Sequence, residues 1–274
     1  MGERPAQQLV IDPMDLVHAA LEGPQWLRAR RATAAAAFAG ADLPSTEEEI
    51  WRYSRIDDLV LDDFAPATPT EQGDGVVPAG ARALVDAVPE RAATVVLANG
   101  RVVSVTVDDG LVAKGVRIGV AGVDQAELLG AAVGQAPDAF VSLHDAFVVD
   151  PVVVDIPAGV TLPGAVVVVH VTTGDGAAAF PHLVVRAGDD SEVSVLEVQT
   201  SSDDRVLVVP VTEILAGRAA RVGHVTAQQL GMAAWQIGQQ TSQVGAEATL
   251  RTTSVGFGGD YARLRTDCRI VGRG

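Results

Sequence analysis

Few side chains in this sequence could do chemistry, and they are widely spaced. There are five histidines, at positions 18, 144, 170, 182 and 224, and a single cysteine, Cys268. No two histidines stand in HExxH or HxH spacing, so no contiguous metal motif exists. One cysteine excludes a disulfide within the chain and any CxxC site. There is no phosphate loop, no dinucleotide-binding glycine fingerprint and no Gly-x-Ser-x-Gly elbow. His170 lies in the apolar run Ala165–Val171 and reads as a core histidine rather than a ligand. Glu197, amid Val195, Leu196 and Val198, is more informative, because carboxylates are seldom buried without a partner. Strand alternation would simply point it at solvent, and that is the expectation; a buried functional carboxylate is the alternative. Cys268 lies between Arg265 and Arg269, whose charges would favour a thiolate if they approached its sulfur. Otherwise it is a small residue filling a coil. Glu197 and Cys268 are thus the two candidates for a functional interior position, with no catalytic set and no metal set beside them.

The elements that must position these residues are strands. Val152–Ile156, Ala165–Val171, His182–Val185, Glu192–Val198 and Val206–Val209 are rich in β-branched residues and bounded by Gly, Pro, Asp and Ser. They recur with a period. Gly159, Gly188, Gly217, Gly245 and Gly272 are 29, 29, 28 and 27 residues apart. Such a period is the signature of a solenoid. Each unit has room for two strands and two bends, which makes the coil a parallel β-helix of roughly 28 residues per turn. The glycines would then stack at one corner, about 4.8 Å apart. The aromatic share is only 4%, so the core is Val, Ala, Leu and Ile, which suits narrow stacked coils.

Upstream, the chain reads as helical and then mixed. Asp12-Pro13 caps a first short helix ended by Gly23. Pro24 opens a second that runs to about Ala39, with Trp26, Leu27 and Phe38 as contacts and Arg28, Arg30 and Arg31 on a solvated face. Ser45 and Glu48 have capping-box spacing for a third short helix bearing Ile50, Trp51 and Tyr53. Ile56, Leu59, Leu61 and Phe64 should pack on something larger. Residues 65–80 are rich in Pro, Gly, Thr and Ala and read as linker. Asn99-Gly100 between Ala93–Leu97 and Val102–Val107 is a strong hairpin signal. Val116–Val120 adds a strand, Asp124–Val133 is helical in pattern, and Pro137–Phe147 leads into the solenoid. The division is 1–64 helical region, 65–92 linker, 93–139 small α/β lead-in and 140–274 β-helix.

A net charge of −15 argues against nucleic acid and against anionic membrane as partners. No stretch approaches the length of a membrane span, and the N-terminus lacks a signal-peptide layout. The expected location is the cytoplasm.

The segment Leu43-Pro-Ser-Thr-Glu-Glu-Glu-Ile-Trp-Arg-Tyr-Ser-Arg-Ile56 resembles the N-terminal signature of the SufD branch of the SufB/SufD family, its core being Glu49, Trp51, Arg52 and Tyr53. Val95–Arg101, Phe140–Phe147, Val154–Val160, Val193–Glu197 and Gly258–Arg263 resemble later family segments in the same order. The resemblance implies a right-handed parallel β-helix in mainly β architecture behind a small α-helical region. It implies no enzyme activity, but a part in iron–sulfur cluster assembly with a SufB-like scaffold and a SufC-like ATPase. In SufB-like chains Glu-Gly-Cys follows the strand; here it is Glu197-Val198-Gln199, which favours SufD. Family members continue for another hundred or so residues (a span given by the resemblance), so the chain reads as truncated, without the ATPase-docking region. A cluster normally takes about four thiolates. The isolated chain is therefore expected to hold no cofactor, with a cluster present only transiently at the level of the complex. Two other classes remain open: a structural or interaction β-helix without metal role, and a polysaccharide-acting β-helix enzyme. A single asparagine, Asn99, argues against the latter.

Overall fold

A computed structural model describes residues 21–67 and 77–272. Most of the helix expected after Asp12-Pro13, and residues 68–76 of the expected linker, lie outside the described residues, while the rest of that linker holds a short strand, a helix and the start of a second strand. In chain order the elements begin with α1 (Gln25–Ala39), β1 (Ala65–Pro66) and α2 (Ala79–Asp86). A hairpin of β2 (Arg91–Ala98) and β3 (Arg101–Val107) follows, then the single turn α3 (Asp109–Val112) and β4 (Arg117–Val120). After α4 (Ala139–Phe147) the rest is strand: β5 (Val152–Ile156), β6 (Ala165–Thr172), β7 (Ala177–Ala179), β8 (His182–Ala187), β9 (Glu192–Ser201), β10 (Leu207–Val208), β11 (Val211–Ala216), β12 (Arg221–Gln229), β13 (Trp235–Val244), β14 (Thr249–Gly256) and β15 (Tyr261–Ile270).

From β5 onward these strands wind as a solenoid of about four turns at ~29 residues each. One sheet runs β4-β5-β8-β11-β13-β15, with β1, β7 and β10 continuing its far side. The other runs β3-β2-β6-β9-β12-β14. Every pairing between coils is parallel, and the register gives the period directly. Glu192 pairs with Arg221, 29 positions on, and Arg221 with Thr249, 28 on. The coil entrance is closed by antiparallel strands. β3 pairs with β2, and β4 with β5, so the lead-in extends both sheets. Asn99 and Gly100 make the hairpin turn with φ of 50° and 78°, the positive pair a two-residue turn requires.

The repeat glycines act through close approach rather than positive φ. A Cβ on Gly188 would meet the Ala158 nitrogen at 2.6 Å, and one on Gly217 the Asp189 nitrogen at 2.9 Å. Gly188, Gly217 and Gly245 each donate an N–H at 2.8 Å to the coil below, at the carbonyls of Ile156, Ala187 and Ala216. The positive φ falls two positions later, at Asp190 (59°), Ala219 (58°) and Glu247 (60°). Gly159 does not stack with the other three. Ile156 pairs with Ala187, a step of 31, so Pro157 stands opposite Gly188 and Gly159 (φ 72°) opposite Asp190.

Burial explains what lies on each face. Inward side chains of β5, β6, β8, β9, β11 and β12 form an apolar core that includes Val154, Val168, Leu183, Val195, Ile214 and Val222. The outer face of the first sheet is covered by α1, α4 and residues 51–64, through Phe38, Trp51, Leu61, Phe140, Phe147 and Trp235. The second sheet's outer face is covered by α2 around Val167, Val169 and Val198. Asp138 caps α4, its carboxylate accepting from the N–H groups of Phe140 and Val141 at 3.0 and 3.3 Å.

Several upstream expectations are corrected. α1 starts after Pro24 as expected, but of its three arginines only Arg28 is exposed. Arg31 is buried and donates to the carbonyls of Val148 (2.7 Å), Val149 (2.9 Å) and Leu21 (2.8 Å). Arg30 reaches Asp145 at 2.6 Å. Ser45 and Glu48 do bond as in a capping box, with the Ser45 N–H on Glu48 Oε1 at 3.2 Å, yet no helix follows. The chain makes successive turns and two 3-10 turns, at Ile56–Asp58 and Leu61–Asp63. The buried positions Trp51, Ile56, Leu59, Leu61 and Phe64 are spaced unevenly, as no helical face would be. Residues 123–128 form a 3-10 helix rather than the start of a longer α-helix, and Ala65-Pro66 in the expected linker pairs with Ala177-Ala178.

Candidate functional site

Glu197 sits on β9, where inward and outward side chains alternate. Val193 and Val195 point into the core, so Glu197 and Gln199 do too. Glu197 is only 1% exposed, which overturns the expectation that it faces solvent. The register opposes it to Val168 below and Thr226 above. Its diagonal neighbours on the same face are His170 on β6 and His224 on β12, close enough to interact across stacked strands. His170 Nε2 lies 3.2 Å from Oε1, and His224 Nε2 lies 3.2 Å from Oε2. From the facing sheet, the Thr212 hydroxyl donates to Oε2 at 3.0 Å; from β9 itself, Gln199 Nε2 donates to Oε1 at 3.3 Å.

The His224 contact has hydrogen-bond geometry. His170 meets the distance but lies off the bonding line, and its Nδ1 and Nε2 are both buried without a partner. We therefore take His170 as an electrostatic neighbour of the carboxylate rather than a bonded one. Burial alone would push the Glu197 carboxyl upward. The two histidines on either side more than offset it and hold the group well below the usual carboxylate range. His224 Nδ1 is likewise buried without a partner. His170 is thus not the satisfied core histidine that its apolar strand suggested.

Polar side chains continue from this cluster towards the last coils. Gln236 donates to Gln199, and Gln240 Nε2 donates to the Thr252 hydroxyl at 2.9 Å. A cavity of about 160 Å³ opens among Gln199, Thr212, Thr226, Gln236, Gln240 and Ser254. The solenoid interior therefore has an apolar part near the glycine corner and a polar lane beside it. Cys268, the second candidate, sits over Ser242 in the register, on the inward side of the final strand. It is free and exposed. Arg265 and Arg269 pair with Gln239 and Gln243, on the opposite face, so alternation keeps their charges away from the sulfur. Nor does Cys268 fill a coil, because none among the described residues covers it.

The signature residues divide. Trp51 is 1% exposed, packs on Phe140 at 5.8 Å and lies beneath the Arg263 guanidinium at 3.7 Å. Glu49 and Arg52 pair at the surface at 3.0 Å, and Tyr53 is 92% exposed rather than packed. The stretch serves as an anchor at Trp51 with a polar surface around it.

Among the described residues, Glu197 and its two histidines do not converge as three metal ligands. The carboxylate lies between them, one histidine on each oxygen. What the arrangement provides is a buried anion flanked by imidazoles, able to hold or pass a proton within a polar interior. Reading residues singly hid the cluster. With a period of 29, His170 and His224 both fall two positions from Glu197's own register partners, and equal parity puts all three on one face.

No curated protein matches the chain. Residues 170–274 match the family model described as the SUF system FeS cluster assembly SufBD core domain, which supports membership of the SufB/SufD family.

Proposed function

We propose that this chain is a SufD-like component of an iron–sulfur cluster assembly complex. It acts with a SufB-like scaffold as its direct partner and a SufC-like ATPase in the same assembly. The observation that carries this reading is the SufBD core match over 170–274 together with the sequence after the β9 core. Glu197 is followed by Val198-Gln199, where SufB-like chains have Gly-Cys. The side chain in the cysteine's place is an interior amide bonded to Gln236 and Glu197, without a thiolate to carry sulfur. The chain's role is then to complete and shape the complex, with no catalysis of its own, and the cluster is cargo rather than a resident cofactor. A cytoplasmic location goes with this role, and no helix among the described residues is long and apolar enough to cross a membrane.

Co-expression with a SufB-like chain and a SufC-like ATPase from one genome tests the proposal. The expected result is co-purification of this chain with the SufB-like chain through gel filtration. Anaerobic reconstitution of the chain alone should leave no stoichiometric acid-labile sulfide after desalting, the mark of an assembled cluster. Failure to capture the SufB-like chain, with both chains folded, would sink the SufD assignment. It would leave the reading as an interaction solenoid without metal role.

A further inference from the structure

A second buried histidine cluster lies on the outer face of the first sheet, under α4. It shares no residue with the Glu197 cluster and rests on separate observations. His182 opens β8, Glu213 lies on β11, and His144 and Asp145 are on α4. His144 Nε2 and His182 Nδ1 face each other at 2.9 Å. The other nitrogen of each ring is engaged. His144 Nδ1 lies 2.7 Å from the Val209 carbonyl, and His182 Nε2 lies 3.0 Å from Glu213 Oε1.

The donors can be assigned from these partners. A carbonyl only accepts, so His144 carries its proton on Nδ1 and Nε2 is a bare lone pair. Glu213 accepts backbone N–H groups from Gly130 (2.5 Å), Ala132 (2.7 Å) and Val133 (3.0 Å). A carboxyl taking three such donors is a carboxylate, so His182 donates to it from Nε2. In neutral rings both facing nitrogens are then lone pairs at hydrogen-bond distance. Something positive must lie between them: a third proton shared by the two rings, or a cation.

Three observations favour a metal cation. His144, His182 and Asp145 offer ligand atoms that all lie within 4.8 Å of one another. The outer nitrogens are engaged in the way that orients metal-bound histidines, one on a carbonyl and one on a carboxylate. The 2.9 Å between the facing nitrogens, also a hydrogen-bond length, admits two adjacent ligands of one octahedral ion, about 3 Å apart for bonds of about 2.1 Å at right angles. Asp145 Oδ1 is buried with no partner among the described residues, while its Oδ2 is held by Arg30. Asp145 and Glu213 supply two negative charges; the part-exposed Arg30 offsets one of them, so the site keeps a net negative charge that attracts a cation.

We propose that His144, His182 and Asp145 form a binding site for one divalent first-row transition metal, with Glu213 and the Val209 carbonyl orienting the two imidazoles. Two nitrogens and one carboxylate oxygen suit ions of intermediate softness such as zinc, iron(II) or cobalt(II). The ligands come from α4 and from β8, so the ion fastens the helix that carries Phe140 and Phe147 onto the solenoid. It needs nothing from an assembly partner, and its failure would leave the SufD-like reading intact.

The test uses the full chain, stripped with chelator and then loaded with Co2+ or Zn2+ alone. The expected result is about one equivalent retained through desalting. The cobalt spectrum should lack a sulfur charge-transfer band, and the melting temperature should rise on loading. His144→Gln and His182→Gln, checked for folding by circular dichroism, should each lose retention. Asp145→Asn, at a part-exposed position that does not threaten the fold, should weaken cobalt affinity tenfold or more. If only a proton lies between the rings, the wild-type chain keeps no cobalt or zinc, and the proposal fails. It fails equally if a folded His144→Gln/His182→Gln chain retains the same equivalent, or if Asp145→Asn binds as tightly as wild type.

Discussion

Glu197 shows how a single charge can be carried inside an otherwise aliphatic coil. Its two oxygens take Thr212, Gln199 and His224, with His170 alongside. Removing one member of such a buried set leaves the others desolvated and unpaired, at a cost of about 3–5 kcal/mol. Glu197→Ala should therefore lower unfolding stability in urea by that order, and Glu197→Gln by less, because the amide keeps acceptor and donor capacity. The pH dependence has a definite sign. The folded carboxyl is held below its unfolded value of about 4.3, so its contribution is fully present above that pH. It is lost as pH falls further, towards the folded value. The stability gap between wild type and Glu197→Gln should shrink in acid as the carboxylate is protonated. A gap that widened below pH ~4 would contradict the histidine-flanked carboxylate.

At the scale of elements, the strand segments and the coil period were legible because β-branched runs and corner glycines repeat with the physical spacing of the coils. What could not be read is where positive φ and close approach part company. Gly159 looks like the first of the series, yet it occupies the left-handed position that Asp190, Ala219 and Glu247 fill in later coils. The bond from its N–H to the Asp189 carbonyl (2.8 Å) matches those of Asp190 to Arg218 and Ala219 to Ala246. The helix expected from Ser45 failed for a different reason. Local capping chemistry was present, but burial of Trp51, Ile56 and Leu59 against a sheet decided the path. Two substitutions separate the glycine roles. Gly188→Ala puts a methyl group 2.6 Å from the Ala158 nitrogen and should cost about 1–3 kcal/mol by overpacking. Gly80→Ala, in the first turn of α2 with nothing within 4 Å, should be neutral or stabilise by at most about 1 kcal/mol. Equal effects in thermal melts would mean that the corner yields and the stacking argument is wrong.

Across the whole molecule, each coil touches only its neighbours, so stability should vary along the solenoid axis instead of being uniform. β9 is paired on both sides, by β6 and β12, and its amides should exchange slowest. Among the described residues β14 is bonded only to β12, and nearly all of its residues are exposed. β15 also has one strand partner, β13, but side chains tie it back to the N-terminal segments. Arg55 grips the Asp260 carboxylate at 3.0 Å, which also accepts from the Trp235 indole at 3.0 Å. Arg263 lies over Trp51 and donates to the Ile50 carbonyl at 3.3 Å, and Arg269 reaches the Val133 carbonyl at 3.3 Å. Two strands with the same number of strand partners should therefore differ. Hydrogen exchange should rank β9 slowest, β15 intermediate and β14 fastest. Arg263→Ala removes the guanidinium from Trp51 and should bring exchange in 261–266 up towards that of β14, with β9 unchanged. If β14 and β15 exchange alike in the wild type, the side-chain ties contribute nothing measurable. If Arg263→Ala accelerates β9 as well, the coils unfold as one cooperative unit, and the nearest-neighbour picture of this solenoid is wrong.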